Sequence, residues 1–247
     1  MAGIETATLV SSRPTAFGPC QGCRMREHCF LSAPLPEDGV DCAGVVRRHR
    51  QLPQGERLFH RHARFSSLYQ VCSGSIKTQR DTLDGGLFVS GFYFPGDTIG
   101  IESIGHTQHT DDAIALTDTI VCQLDFQRLL LLCTGKPSVN VWMIGLIGSY
   151  LRRKDLDLAW STTLPADRRV LRFFLDLNER LARGSTPTQS PLQSLPMRKQ
   201  DIAHYLRMTP ETFSRNLAVL RRRGLLQIDQ DRFFLPDTSR ARELTRL

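Results

Sequence analysis

The sequence predicts an α+β chain with a β-rich roll or barrel in its first half, one long helix, and a winged helix-turn-helix at its end. Three observations predict it. Short β-prone segments punctuated by Gly and Asp fill residues 45–135. From Ser138 to about Trp160 apolar residues recur at helical and coiled-coil steps. Two short helix patterns and a hairpin then close the chain. At 247 residues, 40% apolar and 23% charged, the length supports two modest domains, each with a core. The expected divisions are 1–30, a cysteine-bearing arm; 31–137, the β-rich unit; 138–162, the long helix; and 163–247, the helix-turn-helix unit.

The strands are read from their turns. Leu68-Tyr69-Gln70-Val71-Cys72 runs into Ser73-Gly74, and Ile76-Lys77-Thr78-Gln79 leads to Asp84-Gly85-Gly86. Leu87 to Phe94 ends at Pro95-Gly96-Asp97; Ile114-Ala115-Leu116 and Ile120-Val121-Cys122-Gln123-Leu124 follow. Such spacing suits a closed or double-layered β unit. In the long helix Ile144, Ile147, Leu151 and Leu158 form an a/d seam for a second copy, with Lys154 at the intervening position. Val141, Trp142 and Leu146 widen the apolar surface enough for the helix to pack on the β unit as well. Leu164-Pro165-Ala166-Asp167 breaks it, Arg168–Arg183 reads as an amphipathic helix, and Gly184 to Pro191 reads as a surface loop.

Met197–Leu206 reads as the first helix of the terminal pair, with Ile202, Ala203 and Leu206 facing inward. After Arg207-Met208, Thr209 is an N-cap, Pro210 fits the first helical position, and Glu211 favours the positive helix end. Phe213, Leu217 and Leu220 take one face; Glu211, Ser214 and Arg215 take another. An acceptor, a hydroxyl and a guanidinium at a helix N-terminus are the groups that read base edges in a major groove. Arg221, Arg222 and Arg223 suit phosphates, and Leu225–Ile228 with Arg232–Leu235 makes the wing. Charge agrees. Residues 1–165 carry 16 basic and 16 acidic side chains, whereas 166–247 carry 16 and 9, so the whole excess of +7 sits in the last third.

Cys20, Cys23 and Cys29 form a C-x2-C-x5-C group, which suits iron–sulfur or zinc ligation. Spacing alone leaves the metal open, and Cys42, Cys72, Cys122, Cys133 or His28 could complete the set. Lone cysteines in strand-like segments are by default buried and inert, which is the expectation for Cys42, Cys72 and Cys133. Seven cysteines, odd in number and unevenly spaced, fit a reducing cytosol better than a disulfide scaffold. No apolar run is long enough to span a membrane, and the N-terminus lacks the pattern of a signal peptide, so the expected location is cytoplasmic, with no membrane partner.

At this point the chain resembles the CRP/FNR family of bacterial regulators, in particular the fumarate–nitrate-reduction type of oxygen sensor. The resemblance rests on Cys20/Cys23/Cys29, Ser67-Leu68-Tyr69, Ser73 to Lys77, Gly91-Phe92, Pro95-Gly96-Asp97 and Ile120 to Phe126. In the terminal unit it rests on Asp201 to Leu206 and Thr209 to Arg215. It implies a cupin-like β-roll, a dimerisation helix, and a winged helix-turn-helix. It implies that Cys122 joins Cys20, Cys23 and Cys29 on an oxygen-labile [4Fe–4S] cluster. It also implies that Arg215, Glu211 and Ser214 read a palindromic TTGAT-like operator, with RNA polymerase as a partner in activation. The cyclic-nucleotide branch holds its phosphate with an Arg-Ser pair; here His109-Thr110-Asp111-Asp112-Ala113 offers two carboxylates, so no cyclic nucleotide is expected. FNR-like helices tend to carry an acidic residue where this reading places Lys154, next to Asp155.

The leading expectation is therefore a non-enzymatic, homodimeric, oxygen-responsive DNA-binding regulator. Two alternatives stand beside it: a zinc- or thiol-based redox regulator of the same fold, and an iron–sulfur redox enzyme with a basic accessory domain. The sequence lacks a P-loop, a dinucleotide fingerprint and a second cysteine set, which weighs against the enzyme.

Overall fold

The computed structural model describes residues 42–184 and 192–246, with side chains from 44 to 182 and from 192 to 246. The chain enters through a short helix α1 (Cys42–Val45) and forms eight strands of a β-roll: β1 (Val46–Leu52), β2 (Arg57–Phe59), β3 (Ser67–Ser73), β4 (Ile76–Asp81), β5 (Leu87–Tyr93), β6 (Thr98–Ile99), β7 (Asp112–Ala115) and β8 (Thr119–Asp125). They lie in two antiparallel sheets, β1-β8-β3-β6 and β2-β7-β4-β5. Between the sheets sit Leu52, Phe59, Tyr69, Val71, Ile76, Ile99, Ala115 and Val121, all nearly inaccessible. Alternation along β8 sends Val121 inward and Cys122 and Leu124 to the outer face. The Ser73-Gly74 turn requires its glycine. Gly74 has φ of 79°, and a Cβ there would lie 2.4 Å from the Asp118 carbonyl oxygen.

Two helices cover the outer face. Asp125 caps α2 (Phe126–Gly135), its carboxylate accepting from the Gln127 and Arg128 amides. This helix was not anticipated from its run of leucines. The long helix α3 spans Pro137–Thr163. Val139 and Met143 bury against Val45, Val46, Leu68, Cys122 and Leu124, so α3 docks on the roll along its first turns. It ends at Leu164, before Pro165.

The last third builds its core together with Val89, Phe92, Phe94 and Leu116 of the roll, which belong to the same apolar cluster. Helix α4 (Ala166–Gly184) packs Val170, Leu171, Phe174, Leu175 and Leu177 against α5 (Lys199–Tyr205), α6 (Pro210–Arg222) and the wing strands β10 (Gln227–Asp229) and β11 (Arg232–Phe234). Within this unit two elements are not legible from sequence. Strand β9 (Gln193–Ser194) adds a third strand beside β11, and helix α7 (Thr238–Leu244) closes the unit with Ala241 buried. The first helix of the pair is shorter than Met197–Leu206, because Met197 is spent in the core ahead of α5.

Candidate functional site

The face expected to read DNA assembles as its residues dictate. Thr209 accepts from the Thr212 amide at 3.2 Å and starts α6, with Pro210 at the first turn. Phe213 and Leu220 are buried in the terminal core, which fixes the helix in rotation. Glu211, Ser214 and Arg215 are left exposed together on the outer face. The Glu211 carboxyl is held below its ordinary value, first by its own backbone amide at the helix start, then by the Thr209 hydroxyl. It is therefore an ionised acceptor at neutral pH. Arg221 and Arg222 are exposed at the far end of α6, where Gly224 turns the chain with φ of 66°. Arg223 is different. Its Nη1 donates to Asp167 of α4 at 3.1 Å, so it ties the helix to its own domain.

Cys122 lies on the outer face of β8, 5% exposed, among Val45, Val46, Leu68, Leu124 and Leu129. Helix α1 delivers the chain from the N-terminal arm onto this face. Cys20, Cys23 and Cys29 lie outside the described residues. Thirteen chain steps separate Cys29 from Cys42, a reach of up to about 45 Å, so the arm's length allows all three to meet Cys122. Opposite Cys122 in the β1–β8 register stands His49, whose Nε2 is buried and has no hydrogen-bond partner among the described residues. Directly paired residues share a face with Cβ atoms about 5 Å apart. An imidazole thus stands beside the thiol, a neighbour that no local pattern announces. Cys72 and Cys133 are half-buried, and burial pushes the Cys133 thiol up, as suits an inert position. Among the described residues no three His, Cys, Asp or Glu side chains are arranged to hold a metal ion, and no helix is long and apolar enough to cross a membrane.

The long helix corrects the expected seam by one residue. Val141, Ile144, Leu151 and Leu158 are 70%, 63%, 60% and 53% exposed and form one stripe. Ile147 instead packs inward, against the cluster of Val139 and Met143. Lys154 also turns away: its Nζ donates to the Ser90 carbonyl of β5 at 2.6 Å. Residues completing the stripe at steps of three and four are Gly148 and Asp155, both exposed. The charge in the exposed stripe is therefore acidic, and the cation belongs to the roll.

Lys154 lines a cavity of about 280 Å³ between the roll, α3, α4 and α5, together with Arg80, Glu102, Asp111, Tyr150 and Arg172. Of the two carboxylates in the 109–113 stretch, only Asp111 reaches it, accepting from Arg80 at 3.1 Å and from Ser90 Oγ at 2.9 Å. Asp112 faces the edge, where the Arg61 amide donates to it. His109 is stacked on Phe59 with ring centroids 3.6 Å apart, and burial pushes it down to about 4, so it is a neutral core residue.

This arrangement defines a class: a β-roll with a long helix, joined to a winged helix-turn-helix whose Glu211/Ser214/Arg215 face is open. Comparison with known proteins agrees. Residues 168–244 match the Crp-like helix-turn-helix domain and residues 49–135 the cyclic nucleotide-binding domain. The chain is 28% identical over 227 residues to the transcriptional regulatory protein btr of Bordetella pertussis, covering 91% of this chain and 92% of that one. It is 29% identical over 211 residues to the fumarate and nitrate reduction regulatory protein of Escherichia coli, covering 85% and 83%. The structure of FixK2 from Bradyrhizobium japonicum superposes with a TM-score of 0.71 at 24% identity, covering 81% of this chain and 97% of that one. The chain belongs to the CRP/FNR family of transcription regulators.

Proposed function

We propose that this chain is a cytoplasmic oxygen- or redox-responsive transcription regulator that dimerises through α3 and binds a palindromic TTGAT-like operator. One observation carries the reading. Cys122 is buried in one cluster with Val45 of α1, the first described element, in a chain that carries Cys20, Cys23 and Cys29 ahead of it and an open Glu211/Ser214/Arg215 face. The likeness to a fumarate and nitrate reduction regulatory protein supports it.

Cys20, Cys23, Cys29 and Cys122 are the residues that would hold the group. Soft thiolates on one short arm and on one strand are the donors that a [4Fe–4S] cluster takes. When bound, such a cluster supplies sensitivity to oxygen. The protein's own residues do the rest. Val45, Val46 and Leu129 keep the Cys122 thiol out of water. Ile144, Leu151 and Leu158 bury against a second copy, with Asp155 opposing its mate. Arg215 offers its fork to guanine O6 and N7, Glu211 accepts from cytosine N4, and Arg221 and Arg222 neutralise phosphates. RNA polymerase is the partner proposed for activation.

The test is anaerobic purification. About four irons and four sulfides per subunit are expected, as this cluster type requires. Cys122→Ser should lose them and Cys133→Ser should keep them, and sedimentation should show more dimer before air than after. His49 beside Cys122 favours one second reading, a mixed Cys/His zinc site in a redox regulator of the same fold. Colourless protein with one tightly held zinc, lost in His49→Ala, would establish that reading instead.

A further inference from the structure

The DNA-reading unit is joined to the roll and α3 covalently at one place, Leu164-Pro165, between α3 and α4. One link is a hinge. Val89, Phe92 and Phe94 of the roll share an apolar cluster with the unit, and the Tyr205 hydroxyl of α5 donates to Asp157 of α3 at 3.0 Å. Two further sets of polar contacts with the roll, on different elements, set the unit's rotation. On α4, Arg180 Nη2 donates to Asp97 Oδ2 at 2.5 Å and to the Phe92 carbonyl at 2.7 Å, with its guanidinium over the Phe94 ring. Asp97 also accepts from the Phe94 amide at 2.8 Å and from Arg153 of α3 at 3.5 Å. A single carboxylate of the roll therefore holds both the long helix and the reader. On α5, Lys77 Nζ from β4 donates to Asp201 Oδ1 at 2.6 Å, with the two side chains only 13% and 8% exposed. One turn further along, His204 Nδ1 donates to the Leu87 carbonyl at 2.8 Å.

Apolar contacts tolerate sliding, because any apolar neighbour serves almost as well as another. A desolvated ion pair does not. Displacing it by a few ångströms leaves two buried charges unpaired, so its contribution is to the choice of arrangement more than to stability. Lys77 and Asp201 stand 124 residues apart and touch neither the cysteines nor the reading face.

We infer that Lys77 and Asp201 are positioning residues for operator recognition. Together with the Arg180–Asp97 contact they fix the reader's rotation about the Leu164-Pro165 joint. In a two-fold dimer that rotation sets the distance and phase between the two α6 helices, and so the half-site spacing the protein accepts. One extra base pair turns a half-site by about 34° and shifts it by about 3.4 Å, which a fixed reader cannot follow. The inference rests on the reading of the chain as a two-fold DNA reader.

The test uses the full chain without oxygen, on a palindrome whose half-sites are respaced by one base pair in each direction. The variants are Lys77→Met, Asp201→Leu and the two combined; the combined variant leaves no buried charge unpaired and keeps the contact apolar. Wild-type protein should prefer one spacing by about tenfold or more, a difference of the size that one lost base contact produces. In the combined variant the preference should shrink to about threefold, with the dimer constant and the preference for a single half-site over random DNA unchanged. A second readout needs no DNA: spin labels at the exposed Leu83 and Arg240 positions should give one narrow distance distribution in wild type and a broad one in the combined variant. A folded combined variant that keeps both the spacing preference and the narrow distribution overturns the inference. So does a wild type that binds half-sites specifically but accepts every spacing. Wild type that does not distinguish a half-site from random DNA fails the base-reading proposal, and the distance distributions then decide the inference alone.

Discussion

Helices α3 and α6 are both long and well formed, yet one is complete within this chain and the other is not. α6 places Phe213 and Leu220 in the terminal core and, Pro210 apart, exposes only polar side chains. α3 buries Val139 and Met143 on the roll and still exposes Val141, Ile144, Leu151 and Leu158. A helix that leaves four large apolar side chains on one face in water is unfinished, since each buried Leu or Ile is worth about 1.5–3 kcal/mol. α6 finds its apolar partners within this chain, whereas α3 leaves four large apolar side chains exposed, the surface proposed above for a second copy.

Five measurements test that contrast. The largest effect belongs to the reader's own core. Phe213→Ala should cost about 3–5 kcal/mol of stability, seen as an early thermal transition of the terminal unit while the roll keeps its own. Leu151→Ala should do the reverse. It is 60% exposed, so the stability of the monomer should change little, while two truncated copies should weaken the dimer by about 2–4 kcal/mol in sedimentation. If Leu151→Ala instead destabilises the monomer and leaves association alone, the stripe is not an interface.

Arg215→Ala should cost about 1–3 kcal/mol on the specific site and relax discrimination at one guanine. Arg222→Ala should weaken specific and random DNA alike and lower the salt dependence by about one unit of slope. Equal loss on every sequence with Arg215→Ala would make that residue a phosphate contact. The smallest effect is at Asp155. Removing a pair of exposed like charges should tighten the dimer by about 1 kcal/mol or less, whereas Lys154→Ala should leave the dimer constant unchanged because Lys154 faces Ser90. A tighter dimer in Lys154→Ala but not in Asp155→Ala would restore the seam that the sequence first suggests.

The two regions also differ in how far they could be read in advance. The reader was legible because its signals are local. Thr209-Pro210-Glu211 starts a helix, Gly224 ends it, and the 3.6-residue period separates Phe213 from Ser214 and Arg215 without reference to anything distant. The cysteine spacing and the uneven charge are likewise properties of the chain itself.

The phase of α3 is not. Apolar residues occur at 141, 144, 147, 151 and 158, and two seams that share 144, 151 and 158, about 50° apart around the helix, fit them nearly equally. Only the docking of Val139 and Met143 on the roll sends Ile147 and Lys154 inward and leaves Gly148 and Asp155 outside. The same holds for strand β9 against β11, for His49 across from Cys122, and for Lys77 against Asp201. By itself the sequence determined which segments become helix or strand, which end carries the positive charge, and which side chains could read a base. The tertiary structure decided which residues stand opposite one another across long stretches of chain, because those pairings follow from packing of distant surfaces and leave no periodic mark in either segment.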